Sequence, residues 1–279
     1  MRQLKRALVL SLVLAPACVS AAVAAGGGTI SYEAGGETVR AYVAKPATPD
    51  DRPGIVIVHH FWGLDSHTMD VADRFARLGY LAVAPDLYRG RLGGDYGLAK
   101  EMMDRLDTDL ALAIVKGAID YLRNLDGVAS HRPVALMGFG MGGRVALSAA
   151  LQAADVQALV IFYGHVETTP EAVMPIKVPV LGVFGKDDRA VPVEEARKFE
   201  AALKAAGKQA TIIIYSEMTH GFFDDSHADY DPGLGKDAWV RTQDFLTAVL
   251  GPAQPQRPAT APPAAPAGTA SSPTPPGRR

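Results

Sequence analysis

The chain has 279 residues, 48 % of them apolar and 21 % charged, with a formal net charge of −2 and a single cysteine. That length suits one large α/β domain or two small ones, and the composition is that of an ordinary globular protein. The charge balance, with no long basic run, excludes nucleic acid as an expected partner, and one cysteine excludes a disulfide framework.

Residues 1–25 have the anatomy of a secretory signal peptide: Arg2, Lys5 and Arg6, then an apolar run over 7–17, then small residues around 19–25. A periplasmic or secreted location is expected. The apolar run is too short for a stable membrane span. Cys18 follows Ala15-Pro16-Ala17, a poor lead-in to a lipidated cysteine, so plain export is favoured over a lipoprotein. Cleavage after Cys18 would leave no thiol in the mature chain to serve as a nucleophile.

Residues 26–250 read as the folded domain. The stretches 29–32 and 39–43 flank Gly35-Gly36 and predict a hairpin with a primed turn. Residues 55–58 form a short apolar run of the kind buried on both faces of a sheet. Ser66 is expected to cap a helix running to Leu78, and residues 80–84 form the next strand. Asp107 or Thr108 caps a long helix to Leu125, with Leu110, Ile114, Ala118 and Leu122 at helical spacing. There follow a strand at 134–137, a helix from 141 to about 153, strands at 159–162 and 180–184, and a helix over 194–206 closed by Gly207. A strand at 211–215 and a helix over 236–250 end the domain. Residues 251–279 hold 9 of the 20 prolines and no aromatic residue, and predict a disordered or polyproline-like tail.

Strand and helix alternate from residue 55 onward. This argues for an α/β fold with a mostly parallel sheet and helices on both faces. Ligands of such sheets bind at the carboxyl ends of the strands. The stretch G-F-G-M-G-G, 138–143, stands between a predicted strand and helix, where a nucleophile elbow would read G-x-S-x-G or G-x-C-x-G. Its middle residue is Gly140. Further along, Asp188 lies in G-K-D-D-R-A-V-P and His220 in E-M-T-H-G-F. Elbow, Asp and His then occur in the chain order of an α/β-hydrolase triad, in which the carboxylate orients the imidazole and the imidazole moves a proton. Asp187 is the competing acid.

The ordered stretches I-V-I-V-H-H-F-W-G-L, A-P-D-L-Y-R-G, G-F-G-M-G-G, G-K-D-D-R-A-V-P and T-H-G-F resemble the dienelactone hydrolase family over nearly all of residues 27–250. The resemblance implies a single α/β-hydrolase domain, no cofactor, and hydrolysis of small esters or lactones. It places the nucleophile at Gly140, the acid at Asp188 and the base at His220. The oxyanion donors would be the backbone N–H groups of Met141 and Phe61. His60, Trp62, Tyr88 and Arg89 are expected in the substrate pocket. The family usually presents Cys at the elbow and Glu at the position of His60. Gly90 and Asp224 occupy positions where the family can carry arginines, so recognition of an anionic substrate is not expected here.

Glycine at residue 140 removes covalent acyl-enzyme chemistry at that position. The reading that follows is a degenerate hydrolase that binds a small ester, lactone or related carbonyl ligand. The alternative is an active hydrolase that uses water activated by His220 and Asp188. Ser66, Ser216, Thr219 and Ser226 are the hydroxyls near these loops, and none stands at an elbow. A metal held by His220, Asp224, Asp225 and His227 with His59 or His60 is a weaker alternative, since no H-E-x-x-H pattern occurs; the expectation is no metal. The sequence does not specify an oligomeric state.

Overall fold

The computed structural model describes residues 27–47, 52–125, 132–152, 154–225 and 230–252. The expected signal peptide, and the tail beyond residue 252, lie outside the described residues. The domain begins with a hairpin of β1 (Gly27–Ala34) and β2 (Glu37–Ala44). Gly35 and Gly36 turn it with φ values of 60° and 80°, the positive pair that a type I′ turn requires.

The strands β3 (Gly54–Val58), β4 (Leu81–Pro85), β5 (Val134–Phe139), β6 (Ala158–Phe162), β7 (Val180–Gly185) and β8 (Ala210–Tyr215) complete one sheet. Its order is β1-β2-β4-β3-β5-β6-β7-β8. Pairing is antiparallel across β1–β2 and β2–β4 and parallel elsewhere. This is the α/β-hydrolase fold.

Side chains of β3 alternate between two cores. Val56 and Val58 face the layer of α3 (Thr108–Arg123), α4 (Met141–Leu151) and α6 (Val193–Ala205). Ile55 and Ile57 face α1 (Ser66–Arg77) and α7 (Pro232–Leu250). Burial on both faces is why these strands read as unbroken apolar runs instead of alternating ones.

The starts of α1 and α7 differ from the expectation, and two further helices stand where none was expected. Asp65, not Ser66, caps α1: Asp65 is extended and its carboxylate accepts the Thr68 N–H at 3.0 Å, while Ser66 is already helical. Helix α7 starts at Pro232, four residues early, because Asp231 accepts the N–H groups of Gly233 and Leu234 at 2.8 Å and Pro232 takes the first position, where no N–H is needed. A helix absent from the sequence reading, α2 (Tyr96–Asp104), is capped by Asp95 through the Leu98 N–H at 2.9 Å. A short α5 (Pro170–Val173) was also not foreseen; Thr169 caps it.

Candidate active site

The sheet order reverses between β3 and β5. Chain leaving β3 goes to β4 on one side, and β5 then lies on the other side. The carboxyl ends of these two central strands therefore open a crevice, and the loops after them form its walls. Residues 59–64 leave β3; Gly140 leaves β5 and caps α4.

Gly140 has φ 52° and ψ −113°. Its N–H donates to the Phe162 carbonyl at 2.9 Å, and its own carbonyl accepts from the Arg144 N–H at 3.1 Å. The neighbouring glycines are present for another reason. A β-carbon at Gly138 would stand 2.2 Å from the Gly142 carbonyl oxygen, and one at Gly142 would stand 2.3 Å from the Val58 carbonyl oxygen. Strand, turn and helix pack too closely there for any side chain. At Gly140 no such crowding exists. The nearest atoms to a β-carbon would be the His220 Nε2 at 3.2 Å and the His60 Cβ at 3.9 Å. The turn has the sharp strand-to-helix form of a nucleophile elbow, with its side-chain space empty.

Asp188 and His220 come together beside that space. Asp188 follows β7 and is buried. Its Oδ1 accepts the N–H groups of Ala190 and Val191 at 2.8 and 2.9 Å, and its Oδ2 faces the His220 Nδ1 at 2.9 Å. A carboxylate accepts, so Nδ1 carries the proton and Nε2 is left with a lone pair directed toward residue 140. The Tyr163 ring packs edge-on against the imidazole at 5.1 Å and limits its rotation. The rival acid, Asp187, is exposed and lines a neighbouring cleft.

A cavity of about 500 Å³ covers the elbow. Phe61, Met103, Leu106, Met141 and Val191 give it an apolar lining; Arg144, His165 and His220 contribute polar groups. The two expected oxyanion residues, Phe61 and Met141, both line it. Neither backbone N–H donates to another backbone carbonyl among the described residues. Met141 is the first residue of α4, where an N–H has no intrahelical acceptor. A second, more open cleft of about 860 Å³ shares Tyr96, Ala190 and His220 with the first.

The four residues expected in the substrate pocket are not among those lining this cavity. His60 is buried beneath it. Trp62 packs on the Phe61 ring at 4.6 Å. The Tyr88 hydroxyl donates to the Met141 sulfur at 3.0 Å behind the elbow. Arg89 forms an ion pair with Glu37 at 2.8 Å on the hairpin. Their places are taken by Tyr96, Met103 and Asp104 of α2, by Leu106 after it, and by Arg144. Leu98 and Met102, four residues apart after the Asp95 cap, were the available signal for α2.

Under the elbow lies a buried polar cluster. The His60 Nε2 faces Asp224 at 3.1 Å and Asp65 at 3.4 Å, and the His67 Nδ1 faces Asp224 at 3.4 Å. These residues, with Asp225, form two groupings of metal-ligand type. The donor set does not suit a cation. The Trp62 N–H donates to the His60 Nδ1 at 3.3 Å, so the proton of a neutral His60 sits on Nε2, where a metal would need a lone pair. Metal on the His67 Nδ1 would put a proton on its Nε2, which is buried without a partner among aromatic rings of Phe139 and Phe223. Contacts between imidazole nitrogens and carboxylate oxygens hold the cluster together. His227 and Ser226, named in the sequence alternatives, lie outside the described residues. Ser66 sits in the first turn of α1.

His59 is fully buried between two fixed partners: its Nδ1 lies 2.6 Å from the His60 carbonyl, and its Nε2 accepts the Leu87 N–H at 3.1 Å. Burial pushes its pKa down to about 4, so it is neutral and structural at pH 7.

Comparison with known proteins agrees with this architecture. The model of the dienelactone hydrolase family matches residues 39–250. A Methylorubrum extorquens protein named "Putative carboxymethylenebutenolidase" is 32 % identical over 235 residues, covering 75 % of this chain and 76 % of that protein. Protein usf of Aquifex pyrophilus is 31 % identical over 232 residues, covering 80 % of this chain and 99 % of its own. A crystal structure from Klebsiella pneumoniae, described as a "Putative Dienelactone Hydrolase", superposes with a TM-score of 0.73 at 29 % identity, covering 80 % of this chain and 99 % of that one. Ester or lactone hydrolysis is the coarse function these relationships support. The chain belongs to the dienelactone hydrolase family.

Proposed function

We propose that this protein is an exported, nucleophile-free member of its family that binds a small ester, lactone or related carbonyl compound over Gly140 without forming an acyl-enzyme. One observation carries the reading. Residue 140 has no side chain, while the elbow backbone, the cavity and the His220–Asp188 pair around it are all in place. Loss of a triad nucleophile costs on the order of 10⁶ in turnover, and the remaining site can still give roughly 10³–10⁴ over water. Binding therefore outlasts catalysis. Export rests on residues 1–25, and among the described residues no helix is long and apolar enough to cross a membrane.

A second reading is favoured by the imidazole itself. The unprotonated Nε2 of His220 faces the emptied volume, where it can hold a water molecule and remove its proton as that water attacks the carbonyl. The two readings separate in one assay of p-nitrophenyl acetate and a small lactone. Substantial wild-type turnover that His220→Ala abolishes would establish the water route. An inactive wild type beside an active Gly140→Cys would establish the binding-only site. Labelling of wild-type protein by a serine-directed ester probe would overturn both.

A further inference from the structure

We propose that the open cleft beside the elbow cavity holds the alcohol part of the ligand, and that this part is rich in hydroxyl groups. The ligand is then an ester of a short apolar acid with a sugar or other polyol. The inference rests on the reading that a carbonyl lies over Gly140, and it names the class of ester.

Two hollows meet at His220. The cavity of about 500 Å³ over Gly140 and the cleft of about 860 Å³ have Tyr96, Ala190 and His220 in common. Their chemistry differs. Phe61, Met103, Leu106 and Val191 make the first largely apolar, while Lys186, Asp187, Arg189 and Glu194 bring charge to the second. An ester has two ends to match. With its carbonyl oxygen directed at the Met141 and Phe61 N–H groups, its bridging oxygen belongs beside the imidazole, the group that gives a proton to the leaving group in triad hydrolysis. The acyl chain then fills the apolar cavity, and the alcohol runs past His220 into the cleft.

The cleft's exposed charges point to hydroxyls. Lys186 and Arg189 are balanced by Asp187 and Glu194, so the field there selects neither an anion nor a cation. Lys186, Asp187 and Arg189 make no ion pair among the described residues, and Glu194 lies 3.6 Å from Arg197 of its own helix. Donors that cannot accept thus stand beside acceptors that cannot donate. A hydroxyl does both, and a run of hydroxyls can meet both kinds of partner. Such bonds are strengthened by the charge on the protein side. Tyr96 supplies the remaining element. It is 64 % exposed, and its ring stands edge-on to Phe61 at 5.8 Å, where the two hollows join. An exposed aromatic face there offers apolar area to the C–H face of a sugar ring while the hydroxyls on its rim reach the charged side chains.

The test is NMR titration of the full chain with three neutral probes: ethyl butyrate, methyl glucoside, and methyl glucoside carrying a butyryl ester on its primary hydroxyl. Affinity is read as Kd, or as KM where an ester is turned over. Ethyl butyrate should shift Gly140 and His220, methyl glucoside should shift Asp187 and Arg189, and the sugar butyrate should shift all four. Joining the two parts should make the sugar butyrate bind about tenfold more tightly than ethyl butyrate. In the double variant Asp187→Ala with Arg189→Ala that advantage should vanish while ethyl butyrate binds as before, which also shows that the variant is folded. An advantage that is absent in the wild type, or that survives in the double variant, would overturn the polyol cleft and leave the carbonyl site standing. Tighter binding of butyrylcholine than of the sugar butyrate would overturn the choice of a neutral alcohol. If neither ester shifts Gly140 and His220, the carbonyl reading fails and this inference fails with it.

Discussion

The Nε2 atom of His220 lies 3.2 Å from the point where a β-carbon on residue 140 would stand. The imidazole is aimed at a space, with Asp188 fixing its other nitrogen at 2.9 Å. A hydroxyl or thiol placed at residue 140 therefore meets a base that is already oriented. Gly140→Ser is expected to react with a fluorophosphonate probe at residue 140, and Gly140→Cys to show burst release from p-nitrophenyl acetate. Mass spectrometry of the labelled peptide checks both.

The same pair sets the expectation for Asp188. Asp188→Asn removes the acceptor that keeps the proton on Nδ1, and the imidazole can then turn its protonated nitrogen toward residue 140. Any esterase activity of the wild type, or of Gly140→Ser, should fall by at least about tenfold in Asp188→Asn with little change in KM. Steady-state kinetics on matched variants measures the split.

The glycines of the elbow should separate in stability. Gly142→Ala forces a β-carbon to 2.3 Å from the Val58 carbonyl oxygen, which the backbone of β3 can relieve only by moving. A loss above about 3 kcal/mol is expected. Gly140→Ala meets only an imidazole edge, and its cost is the positive φ of 52°, about 1–3 kcal/mol. Urea midpoints should rank wild type above Gly140→Ala and Gly140→Ala above Gly142→Ala.

Buried histidines make the fold acid-sensitive. Burial lowers the pKa of His59 from 6.5 to about 4, and burial also lowers that of His67. Above pH 6.5 neither state binds the proton and this stabilisation is complete. As the pH falls through 6.5 the unfolded chain takes up protons that the native His59 refuses, and stability drops until about pH 4. The His59 contribution is of order 3 kcal/mol. Chemical denaturation at pH 7.5 and pH 5 should show the loss, and His59→Gln should flatten the slope without removing the share due to His67.

Much of this site was legible because its parts sit at strand ends. Apolar runs located β3, β5 and β7, and the residues just after them were Phe61, Gly140 and Asp188. Chain order then picked out His220. The pocket wall was not legible for two reasons. Helix α2 is short and begins after Gly93-Gly94, so its caps had no long periodic segment to mark. Side-chain direction was the other: Tyr88 and Arg89 follow β4 as Phe61 follows β3, yet Tyr88 turns under the elbow and Arg89, at φ 58°, turns out to Glu37. Neighbouring loop positions share a location without sharing a face. Arg144 was hidden in plain view, since the fourth residue of a helix reads as surface until the cavity beside it is known.

On the nucleophile-free reading proposed above, the bare α-carbon at residue 140 makes the molecule a subtraction already carried out. In a hydrolase with its full triad, the work of the oxyanion donors, the base and the cavity is inferred by deleting the nucleophile and hoping that the rest stays put. Here the rest is built around the deletion, with the glycine suited to its own backbone angles. Rates and affinities measured on this chain report what such a site achieves before any covalent bond, and restoring one side chain reports the increment.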